Sequence, residues 1–166
     1  MTEVAPVVDS LDFRQAISKF TTGIALVSNM LPNGKPYGMT INSLTSISLD
    51  PATLLISLKS GTMLDLIDDT GVFGVSILSA NQQNISSNFA RKEKDEKYDQ
   101  NFLIRNDVPT LKDCLAWFEC TVDKKIIQDD HTLILGKVSL CKKAETELAP
   151  LIFFSSSYHF LPATPM

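Results

Sequence analysis

The sequence predicts a mainly β fold, antiparallel and of barrel or sandwich type, with a few short flanking helices. Strand-like segments come in pairs joined by turn residues, and helical spacing is confined to short stretches. At 166 residues the chain has room for one core of normal depth. A parallel α/β sheet would need long crossover helices between single strands, and that pattern is absent.

The first element is helical. Phe13, Ala16, Ile17 and Phe20 recur at helical spacing behind caps at Asp9 or Ser10, and Thr21-Thr22-Gly23 ends the segment. Ile24 to Ser28 and Tyr37 to Ile41 follow as β-rich runs around Leu31-Pro32-Asn33-Gly34, whose Asn-Gly pair is expected to supply the positive φ angles of a hairpin turn. Leu44 to Leu49 and Thr53 to Lys59 form a second pair across Asp50-Pro51. Thr62 to Ile67 then gives one or two helical turns, and Val72 to Leu78 resumes a strand.

Ser79-x-x-Gln82 has capping-box spacing and opens a helix that reaches about Phe89. Arg91 to Lys97 is a charge run whose signs nearly cancel, read as a solvated loop. Ala116, Phe118, Cys120 and Val122 alternate with polar or larger neighbours, and Ile134, Gly136, Val138 and Leu140 repeat that period across Asp129-Asp130-His131. This predicts a third, longer hairpin, with Trp117 and Phe118 as core residues on opposite faces. Leu151 to Ser155 closes as one more strand. The expected organisation is an N-terminal tail over residues 1–10 and one domain over 11–162.

Composition narrows the function. With 44% hydrophobic and 20% charged residues the chain is globular, and its net charge of -4 is the wrong sign for holding a nucleic acid backbone. No apolar run approaches the roughly 18 residues that cross a bilayer, and Met1 to Ser10 lacks the basic and apolar regions of a secretory signal. A cytoplasmic protein with no membrane or nucleic acid partner is expected. Cys114, Cys120 and Cys141 form no Cys-x-x-Cys and are read as small core residues. Two histidines, His131 and His159, are too few for a histidine-rich metal centre, so no metal site is expected. Glycine-rich nucleotide loops, the nucleophile elbow and the zinc-protease motif are all missing.

One stretch stands out, a dense hydroxyl and amide tract from Thr40 to Ser60. Thr40, Asn42, Ser43 and Thr45 carry the donors and acceptors that a flavin's pyrimidine edge needs, although Ser and Thr also decorate ordinary strands. Lys59 and Ser60 lie past a strand and before a short helix. A cation, a hydroxyl and helix N-terminal amides together suit a phosphate there, while a strand-end lysine in water is the alternative.

The tract Gly38-Met39-Thr40-Ile41-Asn42-Ser43-Leu44-Thr45-Ser46-Ile47-Ser48-Leu49-Asp50-Pro51 strongly resembles the signature of the flavin reductases that serve two-component monooxygenases. Phe13 to Ala16, Phe20 to Gly23, Ser57 to Gly61, Asn88 to Ala90, Trp117 to Cys120, Asp130 to Thr132 and Ser157 to His159 follow in that family's order. The resemblance covers about Phe13 to Phe160. Ser57 to Met63 and Leu151 to His159 look closest to the branch that serves styrene monooxygenases.

This resemblance implies an antiparallel, Greek-key split β-barrel of the FMN-binding type, a homodimer, and hydride transfer from NADH to FAD or FMN. Reduced flavin would pass to a separate oxygenase acting on styrene or a related aromatic substrate. By the same resemblance, Met39, Thr40, Asn42, Ser43, Thr45, Ser57, Leu58, Lys59 and Ser60 hold the flavin, with Asn88, Phe89, Ala90, Arg91 and Tyr158. Arg91 also opens the charged loop, where solvation alone would account for it. His131 is the candidate catalytic residue, placed near the nicotinamide, and Asp129 stands where the family usually has glycine. Hydride transfer between two cofactors needs no protein nucleophile, which suits the missing motifs. A flavin- or haem-binding split barrel without turnover, and a barrel serving only assembly, are the alternatives.

Overall fold

The computed structural model describes residues 7–161; residues 1–6 of the expected tail and Pro162 at the expected domain end lie outside them. Asp9 caps helix α1 (Ser10–Ile17), its carboxylate accepting from the Leu11 and Asp12 amides. The apolar spacing read in the sequence is real, yet no residue of α1 is buried. Strand β1 (Thr22–Gly23) leads to the hairpin of β2 (Ala25–Met30) and β3 (Pro36–Ile41). Its turn differs from expectation, because only Gly34, at φ 81°, is left-handed and Asn33 is not. Pro32 fixes an ordinary turn at the position after Leu31, so the left-handed residue falls after the turn, where Leu31 and Lys35 close the ladder.

β4 (Thr45–Leu49) and β5 (Ala52–Lys59) pair as expected. Helix α2 (Thr62–Thr70) runs a turn longer than its apolar spacing suggested and ends on left-handed Gly71. After β6 (Val72–Ile77) the capping box forms, with the Ser79 amide donating to Gln82 Oε1 at 3.0 Å, ahead of α3 (Gln83–Phe89).

A hairpin of β7 (Phe102–Arg105) and β8 (Val108–Leu111) was not expected from the sequence. Its turn residues Asn106 and Asp107 both take positive φ (47° and 63°), a turn signal carried without glycine and followed by Pro109. Three polar side chains fix it to the sheet. Ser28 Oγ donates to the Pro109 carbonyl, Ser76 Oγ accepts from the Leu111 amide, and Glu119 accepts from Asn106 Nδ2.

The long hairpin of β9 (Ala116–Gln128) and β10 (His131–Lys143) turns at Asp129, which adopts a left-handed φ of 53°. Register shifts at Leu135/Gly136 and Val138/Leu140 interrupt the alternation. Leu140 is consequently exposed, not part of one apolar series. Cys141 is likewise exposed, while Cys114 and Cys120 are buried as expected. The strand expected at Leu151 to Ser155 is β11 (Ile152–Phe154), and it pairs with both β1 and β12 (Ser157–His159).

The main sheet has the order β3-β2-β6-β9-β10-β5-β4, antiparallel throughout, and β3 and β4 at its ends do not close on each other. Both faces are covered. Ala25, Val27, Ile56, Phe73 and Ile134 pack with α2 residues Met63 and Ile67 on one face, and Leu26, Phe89, Phe102 and Leu111 pack on the other. This explains the uninterrupted apolar run Ile24 to Val27, which needs a core on each side of β2. Phe118 and Trp117 flank these two cores respectively, as the alternation predicts.

Candidate active site

The split between β3 and β5 leaves a cleft of about 740 Å³. Its walls come from β3, the ends of β5 and α3, the start of α2 and the first residue of β10. Most residues expected to hold a ligand line it: Met39, Thr40, Asn42, Ser43, Ser57, Leu58, Lys59, Ser60, Phe89, Ala90, Arg91 and His131. The β5–β10 pairing closes a separation of 72 positions by setting His131 opposite Lys59.

Three expected residues lie elsewhere. Thr45 faces a neighbouring hollow of about 760 Å³, which shares Asn42 and Ser43 with the cleft and is bordered by Arg14. Asn88 is buried and its side-chain carbonyl accepts from the Asp95 amide at 2.9 Å, so it pins the following loop. Tyr158 bonds Ser86 Oγ at 2.9 Å and packs edge-on against Phe153. Its polar tip and ring are both taken up by the second core.

The hydroxyl tract divides by orientation. Thr40 Oγ1 donates to the Ser86 carbonyl at 2.7 Å, and Ser43 Oγ both donates to and accepts from the Ser57 backbone. These hydroxyls hold the walls of the cleft together. Asn42 between them is exposed to the cleft.

The charge run is largely exposed, as expected of a solvated loop, but it also borders the cleft. Arg91, Lys92 and Lys94 line the cleft, and the Lys94 ammonium sits 4.7 Å from the Tyr37 ring centroid while donating to the Arg91 carbonyl at 2.9 Å. Lining residues outside the expected set include Tyr37, Ile41, Thr62 and Met63, and with them two cations, Lys92 and Lys94. Net-charge bookkeeping hid them, because Glu93, Asp95 and Glu96 cancel their charge in sequence but do not line the cleft.

Four cationic side chains line this cleft in a chain of net charge -4, and the carboxylate in contact with its lining is that of Asp130, paired with Lys59 at the rim. At the start of α2, Gly61 takes φ 152° and provides no side-chain cap, so first-turn amides stand beside Ser60 and Lys59. Lys59 Nζ contacts Asp130 Oδ2 at 2.9 Å, and Asp130 Oδ1 accepts from His131 Nδ1 at 2.7 Å. The Lys59 contact, followed by the His131 hydrogen bond, draws the Asp130 carboxyl down to about 2. Cations, uncapped amides and an amide-bearing edge form a donor set that fits a phosphorylated, hydrogen-bonding ring ligand. Among the described residues no cluster of His, Cys, Asp or Glu could hold a metal.

Comparison with known proteins agrees with this arrangement. NADH-dependent flavin reductase StyB of Pseudomonas fluorescens is 45% identical over 161 residues, covering 96% of this chain and 95% of that protein. The styrene monooxygenase flavin reductase SMOB from Pseudomonas putida S12 superposes with a TM-score of 0.87 at 44% identity, over 93% of this chain and 99% of its own. The Streptomyces globisporus C-1027 NADH:FAD oxidoreductase SgcE6, solved with NAD and FAD fragments, has a TM-score of 0.84 at 26% identity, covering 96% and 98%. Residues 17–162 match the flavin reductase like domain. Since that match takes in the cleft and both packed faces of the sheet, the chain belongs to the flavin reductase like domain family.

Proposed function

We propose that the protein is an NADH-dependent flavin reductase that transfers a hydride from NADH to FAD or FMN and releases the reduced flavin to a partner monooxygenase. The observation that carries this is a cleft lined by four cations and built from the expected motifs, in a chain 45% identical over 96% of its length with an NADH-dependent flavin reductase. Styrene or a related aromatic compound is the oxygenase substrate that the similarity to SMOB favours.

Bound flavin supplies the chemistry, accepting the hydride and carrying the electron pair away. The chain's residues bind and orient. Lys59, Ser60 and the first amides of α2 take a phosphate, with Arg91 on the facing wall. Asn42 and the backbone of Met39 to Ser43 meet the polar ring edge, and Leu58 and Phe89 are part of the apolar lining. His131 steadies the nicotinamide. No protein nucleophile or base is required for hydride transfer between the two nucleotides.

A homodimer in the cytoplasm completes the reading, with residues 11–162 as its single domain. Edge strand β4 leaves Ile47 and Leu49 exposed, and α1 leaves Phe13 and Ile17 exposed, apolar surfaces that a second copy would cover. No described helix is long and apolar enough to cross a membrane.

The test is a steady-state assay crossing NADH and NADPH with FAD and FMN. NADH oxidation that depends on added flavin is expected. Flavin binding without NADH oxidation in either the FAD or the FMN mixture would refute the proposal.

A further inference from the structure

Asp130 stands between two residues of the cleft and divides its oxygens between them. Oδ2 accepts from Lys59 Nζ at 2.9 Å and Oδ1 from His131 Nδ1 at 2.7 Å. An ionised carboxylate only accepts, so Nδ1 must carry the proton of the second contact, and Nε2 is the ring nitrogen left for a ligand. A carboxyl held at about 2 is ionised at neutral pH.

The two contacts differ in permanence. His131 is the next residue in the chain, and its side chain is less exposed (40%) than that of Lys59. Lys59 lies on another strand, and both members of that ion pair are about two-thirds exposed (66% and 68%). Pairs so exposed contribute little net stability. A phosphate brings more charge and more acceptor oxygens than the carboxylate and displaces it from the lysine.

Building on the flavin reductase reading, we propose that Asp130 is a positioning residue shared by both substrates. It fixes His131 for the nicotinamide nucleotide through Nδ1, and it is the counter-ion that Lys59 exchanges for a flavin phosphate. The two roles have opposite signs. Asp130 competes with flavin for Lys59 but assists NADH through His131, and flavin binding leaves the carboxylate to His131 alone.

Asp130→Ala tests this directly. Flavin affinity, read by fluorescence quenching without NADH, should tighten by a factor of about two to five, since a weak competing pair is removed. The Michaelis constant for NADH should rise about tenfold, since a charge-assisted hydrogen bond to His131 is lost. In a Lys59→Ala background the same change should leave flavin affinity unmoved. Nitrogen-15 spectra of the uncharged His131 ring should shift from the Nδ1–H to the Nε2–H form.

Flavin affinity that weakens or stays constant in Asp130→Ala, tightening that persists without Lys59, or an unaltered His131 tautomer would overturn the proposal. General damage to the fold would weaken both substrates together, an outcome counted against it. The flavin measurement needs no turnover. A wild-type protein that binds flavin but never oxidises NADH would refute the reductase reading separately, while the sign of the affinity change still decides the exchange.

Discussion

Ser43 and Thr40 turn their hydroxyls inward, onto Ser57 and Ser86, so residue type alone misstates what they offer a ligand. Lys59 and Ser60 face the cleft, and replacing both by Ala should weaken flavin binding about tenfold or more, because charge-assisted hydrogen bonds to phosphate contribute roughly 1.5–3 kcal/mol each when well shielded and less in the open. Fluorescence quenching checks this, and unchanged affinity would move the phosphate elsewhere. His131→Ala should raise the Michaelis constant for NADH more than that for flavin; loss of turnover with both constants intact would assign it to the transition state instead. Asp130 should not impose a titration between pH 5 and 9. Its depressed pKa means that the contribution of its contacts is complete above the ordinary carboxylate range and is lost only as pH falls toward about 2. Burial pushes the Cys120 thiol up to about 12 and raises that of Cys114, whereas Cys141 is exposed. A thiol reagent should therefore label one cysteine in the folded chain and all three after denaturation. At this scale the motif order identified most cleft residues. Burial direction was illegible for Asn88, whose side chain turns back onto the Asp95 backbone seven residues on, and for Tyr158, whose partner Ser86 is 72 residues away.

The elements were legible wherever a turn signal and a period agreed. The three long hairpins and the capping box at Ser79 follow directly from sequence. β7–β8 was missed because its turn is Asn106-Asp107 and its second strand contains Pro109, so no familiar dipeptide marked it. Its docking explains Gly74. A Cβ there would collide with the Pro109 carbonyl oxygen and reach within 2.8 Å of Ser28 Oγ, the side chain that holds the hairpin down. Gly74→Ala should cost about 3 kcal/mol by overpacking against backbone, lowering the melting temperature by roughly 6–12 °C. A change below about 2 °C, the scale of about 1 kcal/mol, would show that the hairpin yields freely. Asp129→Gly, by contrast, relieves a left-handed residue at φ 53° and should leave the melting temperature equal or higher.

Over the whole molecule, an acidic chain presents a cationic cleft, a contrast that the net charge conceals because folding brings Lys59 to Arg91, Lys92 and Lys94 while the acidic residues interleaved with them do not line the cleft. The open sheet brings β3 and β5 near each other without pairing, and the gap between them is the site. Apolar spacing in α1 was read correctly, yet none of its residues is buried in the single chain; on the homodimer proposed above, light scattering should return twice the 18.3 kDa chain mass. The central claim is that flavin comes and goes as a substrate. Anaerobically, with NADH in excess and many equivalents of free flavin per chain, the absorbance of oxidised flavin is followed to completion. Reduction of essentially all the flavin, many molecules for each protein chain, is the expected result. Reduction that stops at one flavin per chain, or that runs no faster than NADH and flavin without protein, would contradict the account.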